Sequence, residues 1–470
     1  MNHNTLYKFL LLSILGCQLF LLPSHTNCLA NEISTKNIGF ILFSPEKQTV
    51  LVSQNSEVLF IPGSIVKIAT NLMALETLGP AFTFETYLKT NGEIKNGQLD
   101  GDLLLESGGD PKFTISNLAS MADYLCILGI KKISGNFYYT DGILPTTPIL
   151  SPESETDQTD NPAVGPLSTE FNRFQIWNQT TPIPPLDFIQ IKMSKSPLPG
   201  GVAFNYVGDE GHEIWELSPL KKYNLIEELP VRSPGLFSAS YLRHLAQING
   251  IVLPTPLKKN DALEKFTKKL FTNSSDPLLL LAESSLEYSN NLIAELILLK
   301  AVNEMKKNSG QTFDLSASAK VLNEWVCQLI GSKFCESNFL ANGSGLSPLS
   351  RTSPLYWIQL LNLAKDKFYA HRSFPSLLSI SGKKGWIYRR LNDPEMALRV
   401  WAKTGSMDYA SSIIGYLNTK SNQRLIFAIL ISDIERRMHK DYSAKKMPPS
   451  WRSEAQTIQD NLLREWFRQY

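Results

Sequence analysis

The sequence is poor in the residues that build metal and redox centres. Five of its 470 residues are Cys and six are His. No two Cys stand in a C-x-x-C spacing, which is the usual signature of a zinc or thiol-exchange site. The four His residues beyond residue 30 follow no metal-binding spacing and lie near no G-x-S-x-G; they are His212, His244, His371 and His439. We therefore expect neither a metal or redox cofactor nor a Ser-His-Asp hydrolase.

A strong charge of either sign is also missing. The chain has 46 Lys and Arg against 44 Asp and Glu, which gives a net charge of +2. This balance gives no reason to expect a nucleic acid partner. The hydrophobic content of 43% is that of an ordinary globular protein. At about 150 residues per domain, the length suggests about three domains.

A long apolar run occurs only once, from Phe9 to Leu22. Lys8 precedes this run, and Ala30 follows it as a small residue suited to cleavage. The run is shorter than the roughly 20 apolar residues of a membrane-spanning helix. We therefore predict a signal peptide over residues 1–30 and a protein exported to the periplasm. The alternative is an uncleaved N-terminal anchor, and a loose association with the membrane surface is left open.

Three Cys residues remain beyond residue 30, and they are Cys126, Cys327 and Cys335. An oxidising compartment would permit a bridge between Cys327 and Cys335. The number of Cys is odd, however, and we favour free buried thiols over this bridge.

A Ser three residues before a Lys stands at the head of an apolar stretch. Apolar residues recur with helical spacing from Ile68 to Leu78, and Pro62 suits the first turn of a helix. Side chains three positions apart lie on the same face of a helix. The pattern therefore predicts that the Ser64 hydroxyl and the Lys67 amine meet at the N-terminus of a buried helix.

This pair of side chains suits nucleophilic catalysis. A Ser hydroxyl attacks well only when a base takes its proton, and a Lys can be that base once burial lowers its pKa. The helix N-terminus supplies N–H groups for a developing oxyanion. The alternative is that Ser64 caps the helix and Lys67 lies on the surface. Because S-x-x-K is common by chance, the choice depends on other motifs.

Strand patterns occur at both ends of the chain. They predict two strands near the N-terminus, over residues 37–43 and 49–53, and three near the C-terminus, over residues 398–403, 411–417 and 425–431. Strands from the two ends can pair in one sheet, which makes the middle of the chain an insertion.

The middle of the chain contains a polar stretch that is rich in Pro. We predict an exposed loop over residues 142–166, because such a composition cannot form a core. Short strand-like pieces follow, and they predict a small β-rich insertion over residues 142–217.

Two further motifs stand at predicted element ends. Ser289-Asn290-Asn291 fits S-x-N at a break between two predicted helices, and Lys403-Thr404-Gly405-Ser406 fits K-T-G at the end of a predicted strand. Each motif alone is common, and S-x-N is often only a helix cap. The ordered set S-x-x-K, S-x-N and K-T-G is much more specific.

Three aromatic residues flank the K-T-G motif, namely Trp386, Tyr388 and Trp401. Aromatic side chains contribute large buried areas to protein cores. They could line a cleft, but we favour core packing for all three.

On these motifs the chain resembles the penicillin-recognising serine acyltransferases. It is most similar to the D-alanyl-D-alanine carboxypeptidase/endopeptidase family of low-molecular-mass class C penicillin-binding proteins. The resemblance spans nearly all of the chain beyond residue 30, and the long separation of Lys67 from Ser289 distinguishes it from the compact β-lactamases. Besides the three motifs, it rests on Phe60-Ile61-Pro62-Gly63-Ser64, Gly101-Asp102-Leu103-Leu104-Leu105, Gly108-Gly109-Asp110-Pro111 and Asn342-Gly343-Ser344-Gly345-Leu346-Ser347.

The resemblance implies an α/β (α+β) fold. This fold is a penicillin-binding-protein/β-lactamase-like transpeptidase domain, with an antiparallel sheet flanked by helices, that carries a two-part, β-rich insertion. We expect the catalytic domain to comprise residues 31–84 and 263–470. The inserted domain would comprise residues 85–141 and 218–262, with the nested β-rich domain at residues 142–217.

The resemblance also implies roles for the first two motifs. Ser64 would attack the carbonyl of the penultimate D-Ala and form an acyl-enzyme, and Lys67 would take its proton. Ser289 would relay a proton toward the leaving group. Asn291 would bind the substrate amide and Lys67.

The K-T-G segment would bind the substrate. Lys403 and Thr404 would hold the terminal carboxylate, and Gly405 would let the strand approach closely. The N–H groups of Ser64 and Ser406 would form the oxyanion hole. Water would then release the acyl group, so the resemblance implies no metal or organic cofactor.

The implied activity is that of a serine-type D-Ala-D-Ala carboxypeptidase. Its substrates would be peptidoglycan stem peptides, with cross-links as further substrates, and β-lactam antibiotics would be covalent inhibitors. The alternatives are a β-lactamase or an esterase of the same fold, and a catalytically silent wall-binding scaffold. The long insertion and the lack of a second, deacylating carboxylate motif argue against the β-lactamase. The intact motifs argue against the scaffold.

Overall fold

The computed structural model describes residues 33–199, 202–209, 211–222, 224–439 and 447–470. The predicted signal peptide lies outside these ranges. The residues of all three motifs lie within them. Within these ranges, helices long and apolar enough to cross a membrane are not found.

Groups of strands and groups of helices follow one another along the described chain. The strands are β1 (Ile38–Ser44), β2 (Thr49–Gln54), β3 (Glu85–Thr90), β4 (Glu93–Lys95), β5 (Gln98–Asp100), β6 (Leu103–Ser107), β7 (Lys132–Ile133), β8 (Phe137–Thr140), β9 (Arg173–Trp177), β10 (Thr181–Ile183), β11 (Ile189–Met193), β12 (Phe204–Tyr206), β13 (Glu213–Leu217), β14 (Ile226–Pro230), β15 (Leu257–Lys258), β16 (Lys268–Ser274), β17 (Phe368–Tyr369), β18 (Arg372–Ser373), β19 (Ser379–Ile380), β20 (Val400–Met407), β21 (Ala410–Asn418) and β22 (Arg424–Ser432). The α-helices are α1 (Lys67–Leu78), α2 (Ile115–Ile127), α3 (Pro234–Ile248), α4 (Leu278–Tyr288), α5 (Asn291–Met305), α6 (Leu315–Ile330), α7 (Pro354–Ala364), α8 (Ile434–Arg437) and α9 (Pro449–Gln469). A short 3₁₀ turn, Gly63–Val66, leads directly into α1.

A six-stranded antiparallel sheet joins the two ends of the chain. Its order is β19-β20-β21-β22-β1-β2. The first strand pairs with the last, from Ile38 opposite Ile431 to Phe43 opposite Ile426. The prediction that strands from both ends share one sheet is confirmed, and the middle of the chain leaves this sheet and returns to it.

Helices cover both faces of this sheet. Successive residues of a strand point to opposite faces of the sheet. The apolar residues of β22 therefore pack against helices on both faces. Ile426 and Leu430 lie in the core formed with α1 and α4–α7. Phe427 and Ile429 lie in the second core, which contains residues of α9. The mixed α/β fold with an antiparallel sheet flanked by helices is therefore the one predicted.

The middle of the chain has its own sheets and cores. A five-stranded sheet has the order β15-β8-β6-β3-β16, and its core includes α2 and α3. Two three-stranded sheets, β10-β9-β14 and β11-β13-β12, share a further core. Residues 33–470 nevertheless form one compact unit. The boundaries that we set between three domains therefore stay a prediction.

The Pro-rich stretch is not simply an exposed loop. We call residues 141–169 the strap; this segment lies between β8 and the 3₁₀ turn before β9 and contains neither a helix nor a strand. Leu150, Asn161 and Val164 are nevertheless buried in it. The prediction of a loop is correct, but the prediction of exposure is wrong for these buried residues, because the strap obtains its partners from distant parts of the chain rather than from its own composition.

A buried arginine holds the strap in place. The Arg232 guanidinium donates to the carbonyl oxygens of Pro148 at 3.1 Å and Asn161 at 2.8 Å, and to that of Thr156. The backbone N–H of Arg232 donates to the buried Glu213 carboxylate at 2.8 Å. Burial lowers the pKa of Arg232 to about 10, so the side chain stays charged. It fixes three carbonyl groups of the strap to the β-rich part of the insertion.

The prediction for the cysteines is wrong. Cys327, in α6, and Cys335 form a disulfide, and Cys126 is free but exposed. Sequence could not decide between bridge and thiols because a turn after α6 brings the two Cα atoms to 5.7 Å, a separation that a disulfide requires.

We predict that Arg232→Met lowers the free energy of unfolding by at least about 2 kcal/mol. The buried carbonyl of Asn161 would lose its donor at a cost of about 1–3 kcal/mol, and the partly buried hydrogen bonds to Pro148 and Thr156 would be lost as well. Urea denaturation followed by circular dichroism measures this loss. Arg468→Met is the control, since its ion pair with Glu395 is exposed to water and contributes little to stability. Equal stability losses in the two variants would contradict the role of Arg232.

Candidate active site

The Ser64 and Lys67 side chains meet at the start of α1. Ser64 lies in the 3₁₀ turn and Lys67 is the first residue of the α-helix. The Lys67 Nζ atom lies 2.9 Å from the Ser64 Oγ atom. Ser64 is half-buried and Lys67 is completely buried. The predicted contact between hydroxyl and amine is therefore present in the structure.

The Lys67 amine has two further oxygen partners. Its Nζ donates to Asn291 Oδ1 at 2.7 Å and to the Ser344 carbonyl oxygen at 2.6 Å. An uncharged amine has two N–H groups and one lone pair. Since the two carbonyl oxygens can only accept, they take both N–H groups, and the lone pair is left for the Ser64 hydroxyl.

Burial makes this uncharged form accessible near neutral pH. Removal from water lowers the pKa of Lys67 to about 7, while the charges of Glu295 and Asp160 act in the opposite direction. An amine with this pKa can take a proton from a hydroxyl at neutral pH without first having to be deprotonated at large cost.

The S-x-N motif forms a corner between two helices. α4 ends at Tyr288, and Ser289 adopts a left-handed conformation with φ 61°. The Asn290 side chain then caps α5 by accepting the N–H of Ile293 at 3.0 Å. The corner places Asn291 at the first position of α5, from which its Oδ1 reaches Lys67.

The K-T-G motif lies on β20 and reaches the other two motifs. Lys403 is buried, and its Nζ donates to Ser289 Oγ at 2.9 Å and to the Thr404 carbonyl oxygen at 2.8 Å. Burial, together with the nearby charge of Lys67, lowers the pKa of Lys403 well below its ordinary value. In the part of the chain that the structure describes, the side-chain nitrogens of Lys67 and Lys403 hydrogen-bond only to neutral oxygens.

Glycines let β20 lie directly against the residues around Ser64. A Cβ atom added at Gly405 would stand 2.3 Å from the Pro62 carbonyl oxygen and 2.9 Å from the Ser64 nitrogen. A Cβ atom added at Gly63, where φ is 59°, would stand 3.2 Å from the Ser406 nitrogen. The backbone segments that carry the N–H groups of Ser64 and Ser406 therefore lie side by side.

Three groups at the site were not predicted from the sequence. They are the Ser344 carbonyl, the carboxylate of Glu295 and the carbonyl of Asp160 in the strap, which accepts from Asn291 Nδ2 at 2.9 Å. Helical spacing could have indicated Glu295, since it follows Asn291 by one turn and is the only polar residue between Leu292 and Leu299. No local signal marks a backbone carbonyl such as that of Asp160.

The aromatic residues near the K-T-G motif do not all pack in the core. Trp386 is 65% exposed and Tyr388 is 44% exposed, so core packing is the wrong prediction for these two. Trp401 is partly buried against the core that contains α1. The Trp386 Nε1 donates to the Tyr288 carbonyl oxygen at 3.0 Å, which fixes the end of α4 immediately before Ser289.

Comparison with known proteins assigns the family. The model of the D-Ala-D-Ala carboxypeptidase 3 (S13) family matches residues 24–179 and 222–448. These ranges make up more than half of the chain, and the chain belongs to this family of serine peptidases. Residues 180–221, which the family model leaves out, fall within the β-rich part of the insertion.

Individual relatives agree with this assignment. The D-alanyl-D-alanine carboxypeptidase DacB of Haemophilus influenzae is 26% identical over 449 residues, which cover 88% of this chain and 90% of that protein. The crystal structure of penicillin binding protein 4 (dacB) from Haemophilus influenzae is 20% identical, with a TM-score of 0.73 over 92% of this chain and 96% of that one. A predatory endopeptidase of Bdellovibrio bacteriovorus, in complex with an immunity protein, is 18% identical, with a TM-score of 0.51 over 91% and 92%. The two solved structures show that this chain has their fold.

We predict that Gly405→Ala lowers the free energy of unfolding by about 1–3 kcal/mol, the usual effect of overpacking. The added methyl group would collide with the Pro62 carbonyl, which no rotamer change can relieve. Gly211→Ala is the control, because its added Cβ meets only Asp209 Oδ1 at 3.6 Å. Chemical denaturation measures both variants, and a Gly405→Ala protein as stable as the wild type would show that β20 does not lie this close to Pro62.

Proposed function

We propose that the protein hydrolyses the D-Ala-D-Ala end of peptidoglycan stem peptides through an acyl-enzyme on Ser64. One observation carries this proposal: a completely buried Lys67 amine lies 2.9 Å from the Ser64 hydroxyl and has both its N–H groups occupied. The name of the relative from Haemophilus influenzae, a D-alanyl-D-alanine carboxypeptidase, supports this choice of substrate.

Acylation begins with the Ser64 hydroxyl. Its proton passes to the Lys67 lone pair while Oγ forms a bond to the carbonyl carbon of the penultimate D-Ala. The carbonyl electron pair moves to the oxygen, which accepts the N–H groups of Ser64 and Ser406 in the oxyanion hole. The C–N bond then breaks, and the proton held by Lys67 passes through Ser289 to the departing amine, which leaves Lys67 uncharged again. The Ser289 hydroxyl lies 2.9 Å from Lys403 Nζ.

Deacylation repeats these steps with water. A water molecule loses a proton to Lys67 and attacks the ester carbonyl. The ester C–O bond breaks, Ser64 regains its proton, and the shortened peptide leaves as a carboxylic acid. The chain's own residues supply every proton transfer in this sequence.

The terminal carboxylate of the substrate would bind at Lys403 and Thr404. The Lys403 amine is buried and hydrogen-bonds neutral oxygens among the described residues. An anion in this place would offset the cost of burying the ammonium group. A requirement for a free carboxylate follows, and this requirement defines a carboxypeptidase.

Asn291 would hold both the base and the substrate. Its Oδ1 accepts from Lys67, and one N–H of its Nδ2 donates to the Asp160 carbonyl. The second N–H of the same amide group is then available for the carbonyl oxygen of the bound peptide.

The proposal extends to cleavage of cross-links, inhibition by β-lactams, location in the periplasm and the division of the insertion into domains. Cleavage of cross-links is supported by the Bdellovibrio relative, which is a predatory endopeptidase. Inhibition by β-lactams is supported by the complex of the Haemophilus relative with such a compound. We place the protein in the periplasm after export by residues 1–30, and we assign the separate cores of the insertion to the two inserted domains.

The first test is covalent labelling. We expect benzylpenicillin to acylate the wild-type protein stably on Ser64, as located by mass spectrometry of the digested adduct. Ser64→Ala and Lys67→Ala should remain unlabelled, whereas the exposed Ser120→Ala should behave as the wild type. In the wild type the acylation rate should fall as the pH drops below about 7, because a protonated Lys67 cannot take the Ser64 proton.

Other outcomes identify the alternatives. Rapid turnover of the antibiotic would favour a β-lactamase, and the absence of a label would favour a catalytically silent scaffold. Normal acylation of Lys67→Ala would contradict its role as the base.

The second test concerns the carboxylate. We predict that Lys403→Met lowers kcat/KM for a D-Ala-D-Ala peptide at least about 30-fold, since loss of a buried charged partner costs about 2–5 kcal/mol. The same peptide with a C-terminal amide should lose much less. Lys307→Met, an exposed control, should hydrolyse both peptides as the wild type does. An equal loss for acid and amide would place the carboxylate elsewhere.

A further inference from the structure

We propose that Glu295 is a positioning residue for the acylation step, acting on Lys67 through the loop of residues 342–345 and through its own charge. This inference rests on the proposed function, because it assigns Lys67 the role of base. Glu295 belongs to none of the three motifs, and none of the three hydrogen bonds of Lys67 goes to it.

Glu295 is a buried carboxylate that uses both oxygens. It lies one helical turn after Asn291 in α5 and is fully inaccessible to solvent. Its Oε1 accepts the N–H of Ser344 at 2.7 Å, and its Oε2 accepts the N–H of Gly343 at 3.2 Å. A carboxylate satisfies both donors, whereas an amide would turn its own NH₂ group toward one of them.

The other side of this loop touches the catalytic groups. The Ser344 carbonyl accepts from Lys67 Nζ at 2.6 Å. The Gly343 carbonyl accepts from Thr70 Oγ1 at 2.6 Å, which fixes the loop to α1. A Cβ atom added at Gly345 would stand 2.0 Å from the carbonyl oxygen of Gly63 and 3.1 Å from the Ser64 nitrogen. The loop therefore lies between the Glu295 carboxylate on one side and Lys67 and Ser64 on the other.

The charge of Glu295 acts on the same amine. The charged groups that face Lys67 come from three elements: Glu295 in α5, Asp160 in the strap and Lys403 in β20. Glu295 and Asp160 raise the pKa of Lys67 against the larger effect of burial. Burial raises the pKa of Glu295 itself, while its bonds to the loop and the charge of Lys67 lower it. The two N–H donors at its oxygens favour the ionised form.

Two effects of substitution can be separated by their pH dependence. Removing the charge should lower the pKa of Lys67. In a plot of acylation rate against pH, the acid limb, where the rate falls as the pH drops, should then move to lower pH. Loosening the loop should lower the plateau rate at all pH values, since small misplacements of reacting groups cost up to 100-fold. A purely structural residue would produce the second effect without the first.

The experiment compares Glu295→Gln, Glu295→Asp and Glu304→Gln in the full-length protein. Glu304 lies on the same helix, but it is partly exposed and pairs with Lys300 and Lys307. The second-order rate constant of acylation by benzylpenicillin is measured from pH 5 to pH 9. We expect Glu295→Gln to shift the acid limb down by about one pH unit and to lower the plateau about 10- to 100-fold. Glu295→Asp should keep the wild-type limb with a lower plateau, and Glu304→Gln should match the wild type.

The outcomes separate this inference from the proposed function. An unlabelled wild type would overturn the proposed function and the inference with it. A labelled wild type together with an unshifted limb in Glu295→Gln would overturn the inference alone. Circular dichroism and thermal melting establish that each variant is folded. If Glu295→Gln does not fold, Glu295→Ala replaces it in the same measurement: an acid limb shifted to lower pH supports the inference, and an unshifted limb overturns it.

Discussion

The contact between the Lys67 amine and the Ser64 hydroxyl depends on keeping water away from the amine. A lysine ion that leaves water loses its hydration, and the protein must offer either a counter-charge or the uncharged state. Here the partners in direct contact are three neutral oxygens, so the uncharged state is favoured near neutral pH. Most of the surrounding structure can be understood as the means of excluding water at this point.

The topology of the chain supplies this enclosure. α1 is buried between the central sheet and the helices α4–α7. β20 closes the site from the sheet side, and the corner between α4 and α5 closes it from the helical side. Because the first and last strands pair with each other, segments separated by hundreds of residues are brought to the same end of α1. The sheet and helices therefore bring Ser64 and Lys67 together, and two segments without regular structure, the strap and residues 342–345, add further contacts.

Much of this arrangement can be predicted from the sequence, since it follows from local patterns. The spacing of Ser64 and Lys67, the alternating strands of the central sheet and the helix break at Ser289 all have short-range signals. The parts that could not be predicted depend on contacts between distant residues. The strap is buried because Arg232 binds its carbonyl groups, and the cysteines form a bridge because a turn brings them together. Trp386 lies exposed because its ring nitrogen is held by a carbonyl on another element.

The strap makes the surroundings of Ser64 dependent on a part of the chain that carries none of the three motifs. Asn291 is oriented by the Asp160 carbonyl, and the adjacent Asn161 carbonyl is bound by Arg232. A chain whose insertion has not yet folded thus already contains Ser64 and Lys67 but lacks the group that aligns Asn291. The geometry around Ser64 is in this way coupled to the packing of the β-rich insertion, through two adjacent carbonyl groups of the strap.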